Sequence, residues 1–399
     1  MNWEPSSINK KDANRLTRRR VMKLATAAGF STASALAMTP EDIKAQDSDQ
    51  VTISFDISGR NKKIVDADWY NHVQRSKQVR DTIESKYYSR DGINGVGIGN
   101  DGEHHVVVVL DENHSQKDER RGELPERKNG VRIEIEEENE IPSPKHDTDD
   151  GCQSHEGPCD DKPTDTSSVP GGVVAGPYFN EECTLGSRLF PGSCKVIGEG
   201  WSLPAHCLMT CHDVQEGDDR CSSDRSRPCE PVVQGEISHN SSRIGRTICY
   251  DEALDFVYIE KDDTSAPESE IVLPSDHSNK VHIDGSVSDS GLDVIMNDYE
   301  VTARGVKSCE VDKGSVNKRD LTRGVLNYCR DDVIKQVEVM FDNSHLADKD
   351  SGAVFWVTDN GDNFAVAHLS SSLCGPGYPQ YGPQAHSIQD RNDVWWSDL

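Results

Sequence analysis

Asp348-Lys349-Asp350-Ser351-Gly352-Ala353-Val354-Phe355 joins a charged turn to an apolar run, with a small hydroxyl residue at the junction. Asp and Gly favour turns for backbone reasons, so the triplet Asp350-Ser351-Gly352 by itself marks only a loop. Its weight comes from two other segments of the same half of the chain. Asp251-Glu252-Ala253-Leu254-Asp255-Phe256-Val257-Tyr258-Ile259 sets an aspartate directly before an apolar run. Gly200-Trp201-Ser202-Leu203-Pro204-Ala205-His206-Cys207-Leu208-Met209-Thr210-Cys211-His212-Asp213-Val214 supplies two histidines. Histidine, aspartate and serine therefore follow in that order. A serine hydroxyl is a weak nucleophile near neutral pH until an imidazole takes its proton, and a buried carboxylate fixes the tautomer and steadies the imidazolium. The expected roles are Ser351 as nucleophile, Asp255 as orienting carboxylate and His212 as base, with His206 as the alternative base.

The three segments sit among short apolar blocks separated by turn signals, from Gly171 onward. Strands are expected near 184–190, 232–237, 256–260, 294–295, 337–341 and 354–357, which suggests an all-β barrel or sandwich. The chain before residue 143 reads differently. Residues 51–58 alternate, with Val51, Ile53, Phe55 and Ile57 on one face. Residues 66–88 show helical spacing through Trp69, Val73, Val79, Ile83 and Tyr87, with Asp66 and Asp68 at the start. Strands follow at 96–99, 105–110 and 131–135, giving a small α+β unit over 51–142. Residues 143–169, rich in Pro, Asp, Ser and Gly, read as a linker.

The order His…Asp…Ser is that of the chymotrypsin-like peptidases, and region 170–399 resembles that family, in particular its exported trypsin-like members of bacteria and salt-loving archaea. Gly171-Gly172 with Cys183-Thr184-Leu185-Gly186 resembles the opening strands. Leu208-Met209-Thr210-Cys211-His212 resembles the histidine strand end, and Leu203-Pro204-Ala205-His206-Cys207 the same element with its H-C pair kept. Leu254-Asp255-Phe256-Val257 resembles the aspartate segment, and Ala367-His368-Leu369-Ser370-Ser371 the strand lining the substrate cleft. The resemblance implies an all-β double barrel, a serine endopeptidase activity, a polypeptide substrate and no cofactor or metal. It puts the oxyanion on the backbone N–H groups of Lys349 and Ser351, and the pocket floor at His345. With His206 as base, Cys183 would bridge to Cys207. Lys349 and Ala353 stand where the family has glycines. The 51–142 unit is similar in size and place to a peptidase pro-domain.

Thr17-Arg18-Arg19-Arg20-Val21-Met22-Lys23, the weakly apolar stretch after it and Ala35-Leu36-Ala37 resemble a twin-arginine signal peptide spanning 1–37. An exported chain is expected to hold most of its 12 cysteines as disulfides. A zinc site at Cys207, Cys211, His212, Cys221 and Cys229 is the rival, without the spacing of a common finger. The chain carries 70 acidic and 43 basic side chains, a net charge of −27 and a mean hydropathy of −0.70. Residues 1–37 hold seven basic and two acidic residues, so their removal takes the charge from −27 to −32. No basic patch stands out after residue 23, which argues against nucleic acid as the main partner. No apolar run beyond the N-terminal one is long enough to span a membrane. The acidity fits a protein of high salt, where carboxylates hold water and cations and screening removes their repulsion. At 1 M salt the Debye length is about 3 Å, so thermal melts should rise steeply from low to molar salt. A flat melting temperature over that range would contradict the high-salt reading.

Overall fold

The computed structural model describes residues 49–144, 169–171, 174–177, 183–191, 199–204, 231–234, 242–261, 267–273, 276–305, 308–325, 332–342, 346, 350–372 and 378–396. Segment 1–37 and residues 145–168 of the expected linker lie outside them. The described chain is mostly β-sheet. In the first part, β1 (Gln50–Ser54) and β2 (Lys62–Asp66) form a hairpin, followed by α1 (Ala67–Tyr87). Then come β3 (Ile93–Asn100), β4 (His104–Asp111), α2 (Lys117–Glu123), β5 (Arg127–Lys128), β6 (Val131–Glu138) and β7 (Ser143–Pro144). Asp66 caps α1, its carboxylate accepting from the backbone N–H of Asp68 and Trp69. The apolar face of α1 (Val79, Ile83, Tyr87) packs on Val96, Val106, Val108 and Ile133 of the strands beneath it.

The next part contains β8 (Val169–Gly171), β9 (Val174–Pro177), β10 (Cys183–Thr184), β11 (Arg188–Pro191), β12 (Gly200–Leu203), β13 (Pro231–Gln234), β14 (Ser242–Asp251), β15 (Phe256–Lys261), β16 (Pro267–Leu273) and β17 (Asp276–His282). The last part runs through β18 (Gly285–Ser286), α3 (Asp289–Asp298), β19 (Val301–Gly305), β20 (Cys309–Gly324), β21 (Asp332–Phe341), β22 (Val354–Asp359), β23 (Asp362–His368), β24 (Ser371–Ser372), β25 (Gln380–Pro383), α4 (Ala385–Asn392) and β26 (Val394–Trp395). Two large sheets result. One has eight strands in the order β10-β9-β13-β14-β15-β12-β11-β26. The other has 13 strands and runs β18-β23-β22-β19-β20-β21-β25-β24-β7, with β3, β4, β6 and β5 branching from β20. The expected all-β character holds, and among the described residues neither sheet closes on itself. Leu189, Phe256, Tyr258, Val354, Trp356, Ala365 and Trp396 pack together from both sheets.

Residues 294–295, expected as a strand, lie inside α3. Ser288 caps that helix through its hydroxyl, which accepts from the N–H of Gly291, and Leu292, Ile295 and Met296 bury one face. Residues 184–190 form two short strands with a break between them, not one. There Gly186 passes so close to Ser202 that a Cβ would lie 1.9 Å from its Oγ.

The first part is not a separate body. β3 pairs antiparallel with β20 from Gly99↔Lys318 to Gly95↔Arg323, extending the large sheet into the α+β unit. Phe55 enters the core of the last part, against the rings of Tyr299 and Phe364. Lys77 of α1 donates to Asp289 and Asp293 of α3, both at 2.8 Å. His104 of β4 and His386 of α4 are buried at this joint. Burial first, and then the positive charges of Arg319 and Lys77, push the His104 imidazole down to about 3. Burial also lowers His386 to about 4, against the pull of Asp289. Both rings are neutral when folded and chargeable when unfolded. The unfolded chain therefore binds more protons as pH falls from the ordinary histidine value of about 6.5 towards the folded values. Stability should drop over that window by up to about 1.4 kcal/mol per pH unit for each ring, levelling off below. Melts of His104→Gln and His386→Gln should show a shallower acid slope, whereas an unchanged slope would acquit both histidines.

Candidate active site

Asp255 sits between the short 3-10 turn Glu252–Leu254 and β15, with a left-handed φ of 47° and its side chain fully buried. A buried carboxylate needs donors, and the segment 368–370 supplies one. The Ser370 hydroxyl donates to Asp255 Oδ2 in a short hydrogen bond. His368 Nε2–H donates to the Asp255 carbonyl at 3.0 Å, and its ring stacks on that of Phe256.

The same segment holds the turn at Ser351. The N–H of Gly352 donates to Leu369 O, and the N–H of Leu369 donates to Ala353 O, each at 2.8 Å. The N–H of Thr184 donates to Ser351 O, and that of Ala353 to Asp350 O, again at 2.8 Å. Asp350 is buried, with Oδ2 accepting from the N–H of Ser308 at 3.2 Å. Gly305 must be small here, because a Cβ would lie 2.3 Å from that carboxylate. Three successive residues, His368 to Ser370, therefore tie the aspartate and the serine into one frame. The serine and its neighbour Gly352 also touch the other sheet, through Thr184 and through Pro204 at the end of β12. Ser351 itself is buried.

Of the expected site residues, Asp255 and Ser351 are described and share this frame. His206, His212, Lys349 and His345 lie outside the described residues, as do Cys207, Cys211, Cys221 and Cys229 of the zinc alternative. Cys309, at the start of β20, is disulfide-bonded. The sequence reading missed the bond from Ser370 to Asp255 and the pairing of β7 with β24. In that pairing Ser143 lies opposite Ser372, and Pro144 opposite Ser371. Neither has a local sequence signal, because both join residues more than a hundred positions apart.

Asp101, His105 and Glu134 also converge, with ligand atoms within 4.8 Å of one another. Arg132 already occupies the place of a cation there. Its guanidinium is 2.5 Å from Asp101, 2.9 Å from His105 Nδ1 and 3.3 Å from Glu134. The hydrogen bond from Arg132 lowers the Asp101 carboxyl below its ordinary range. The cluster, with Asp101 exposed and His105 buried, is an ion-pair group filled by its own arginine.

Gly352 has a φ of +97°, and a Cβ on it would lie 2.0 Å from Thr184 O. Gly361 has nearly the same φ, +96°, with nothing within 4 Å. Gly361→Ala should cost only backbone strain, about 1–3 kcal/mol. Gly352→Ala should cost clearly more and lower the melting temperature further. Equal losses would mean that the serine turn has room to move.

No family model matches the chain, and no curated protein matches it. Several solved structures are similar to it. One is a glutamic acid-specific serine protease described as using a novel histidine triad in substrate binding, at 15% identity and a TM-score of 0.40, covering 57% of this chain and 99% of that one. An α-lytic protease homolog, N4, aligns at 14% identity and a TM-score of 0.38, over 57% of this chain and 99% of its own. The apo MamO protease domain from Magnetospirillum magneticum aligns at 12% identity and a TM-score of 0.28, over 55% and 95%.

Proposed function

We propose that the chain is an exported serine endopeptidase that works through an acyl-enzyme. The observation that carries this reading is the shared frame, in which one three-residue segment holds both a buried aspartate and the turn of a serine. Ser351 Oγ attacks the peptide carbonyl while an imidazole takes its proton and later delivers it to the leaving amine. Asp255 orients that imidazole, with Ser370 holding the carboxylate. The N–H groups of Ser351 and Lys349 receive the oxyanion.

We take His206 as the base in preference to His212. Pro204 approaches the Gly352 backbone, its Cδ 3.1 Å from where a Cβ would stand. His206 is two residues further on, within about 7 Å of chain at about 3.5 Å per residue, so it is in reach of Ser351 and Asp255. His212 is eight residues on.

Segment 1–37 is the export signal in this reading, and most of the cysteines outside the described residues form disulfides in an acidic protein of high salt. The α+β unit serves as a folding aid and as an inhibitor. β3 extends the sheet at β20, and β7 pairs with β24, next in sequence to Ser370.

A fluorophosphonate probe at high salt should label the wild type and not Ser351→Ala. His206→Ala should abolish labelling and hydrolysis, while His212→Ala spares them. Residues acting as a unit are non-additive, so Ser351→Ala/His206→Ala should be scarcely worse than either single variant. Loss in His212→Ala alone would return the base to that residue. No labelling of any form would leave a binding module without catalysis.

A further inference from the structure

β2 presents an open edge. Among the described strands it pairs with β1 alone. The far end of β1 is taken up by the turn before α3, where the Ser288 hydroxyl donates to Ser54 O at 2.6 Å and Asp56 pairs with Val287. An unpaired edge holds a row of main-chain donors and acceptors that can take another strand. Alternate residues of a strand face opposite ways. Lys63 turns inward, 2.7 Å from Asp359 and over the rings of Phe55 and Tyr299. Lys62, Ile64 and Asp66 turn outward and are exposed. Ile64 is 68% exposed, and Tyr378 is the other large apolar side chain left exposed among the described residues.

The charges around Ile64 have an order. Arg60 and Lys62 precede it, Asp66 and Asp68 follow it, and all four are exposed. A second copy laid antiparallel on β2, with Ile64 opposite Ile64, sets Lys62 of each copy across from Asp66 of the other. It also brings the Arg60 end of each towards the Asp68 end of the other. A parallel copy in register would set lysine on lysine and aspartate on aspartate. The antiparallel arrangement is closed by a twofold axis, in which one patch is its own complement. Opposite charges facing across a strand pair stabilise it, and like charges destabilise it. Asp66 has an oxygen to offer, because it caps α1 through Oδ1 alone. Lysine on an edge usually guards it against a neighbour. Here each Lys62 meets an acid, and Lys63 is already engaged with Asp359.

We propose that β2 is the contact between two copies of this chain, which pair β2 to β2 across a twofold axis at Ile64. The two hairpins become one four-stranded sheet, β1-β2-β2-β1, and a two-stranded hairpin gains stability from added strands. The two Ile64 side chains cover each other, and a Lys62–Asp66 pair lies on either side of the axis. Salt acts on this contact in two ways. Each copy carries a net charge of −27, and screening removes the long-range repulsion between them. Screening also weakens the two ion pairs, but exposed pairs contribute little, and burial of the isoleucines is apolar and not screened. Association is therefore strongest at high ionic strength.

Sedimentation velocity on the full-length protein at molar salt reads the oligomeric state from micromolar to millimolar concentration. The expected wild type is a monomer in equilibrium with a dimer. Ile64→Lys should raise the dissociation constant by about tenfold or more, with the fold unchanged by circular dichroism because the side chain is exposed. Lys62→Glu alone and Asp66→Lys alone should each weaken self-association, measured at the lowest salt that supports the wild-type dimer. An equimolar mixture of those two variants should associate again, because the mixed pair sets opposite charges together on both sides of the axis. Asp66→Lys also removes the cap of α1, but mixing cannot undo a loss of folding, so recovery in the mixture reports the contact itself. A wild type that stays monomeric through the millimolar range, a dimer that Ile64→Lys leaves intact, or a mixture no tighter than its components overturns the inference.

Discussion

Arg319 lies on β20 with its guanidinium wholly buried, donating to Asp293 and Asp289 of α3 and to Asp320 beside it. Burial alone would raise the Asp320 carboxyl, yet Arg319 and Lys335 hold it far below the usual carboxylate range. Two more buried cations flank it on the same strand. Lys318 is 2.8 Å from both Glu136 and Glu338, and Arg323 is paired with Glu138. Stranding one member of a buried pair costs about 3–5 kcal/mol. Glu136 and Glu138 come from β6 and Lys77 from α1, so part of this neutralisation is supplied by the first 144 residues. The strand at the centre of the large sheet therefore takes part of its charge pairing from the α+β unit.

That dependence reaches the candidate site through a short series of contacts. Glu138 binds Arg323, whose guanidinium also donates to the Tyr381 hydroxyl at 3.0 Å and lies over the Tyr381 ring. Tyr381 sits on β25 opposite Ser371, and its carbonyl accepts from the N–H of Ser370 at 2.8 Å. Ser370 in turn holds Asp255. Every link is a packed or hydrogen-bonded contact, and beyond the half-buried Glu138 the groups are buried, where small displacements are resisted. The geometry of the aspartate is thus supported from the same strand that anchors the α+β unit.

How much of this was legible varies with the physics of each element. The helix at 67–87 was, because Val73, Val79, Ile83 and Tyr87 recur at helical spacing and Asp66 is an evident cap. So were the apolar strands β4 and β15, whose burial is written in their composition. β20 was not: its 16 residues, Cys309–Gly324, show no apolar strand pattern because Lys318, Arg319, Asp320 and Arg323 are buried as ion pairs and not as apolar surface. Hydropathy cannot separate a paired buried charge from a solvated one. α3 was misread because a two-residue apolar run has no period of its own; its signals were the Ser288 cap and the spacing of Leu292, Ile295 and Met296. At the site, Asp255 and Ser351 stood out by residue type and order. The bond from Ser370 and the pairing of the Ser143–Pro144 strand depend on tertiary structure, which leaves no local pattern.

The charge distribution divides the molecule in two. The excess of carboxylates lies on a surface that salt screens, while several cations are drawn into buried pairs where screening is weak. Raising the salt therefore relieves repulsion across the surface without dissolving the joint at Lys77, Lys318, Arg319 and Arg323. Those pairs are short: 2.8 Å from Lys77 to Asp293, 2.7 Å from Arg319 to Asp293 and 2.8 Å from Lys318 to Glu338, with both partners in each pair mostly shielded from solvent. An α+β unit held only by exposed ion pairs would loosen in brine. One held by buried pairs, by the β3–β20 ladder and by Phe55 in the neighbouring core keeps its grip at high salt. Cutting the chain between the two parts would not by itself separate them, because none of those contacts runs through the linker.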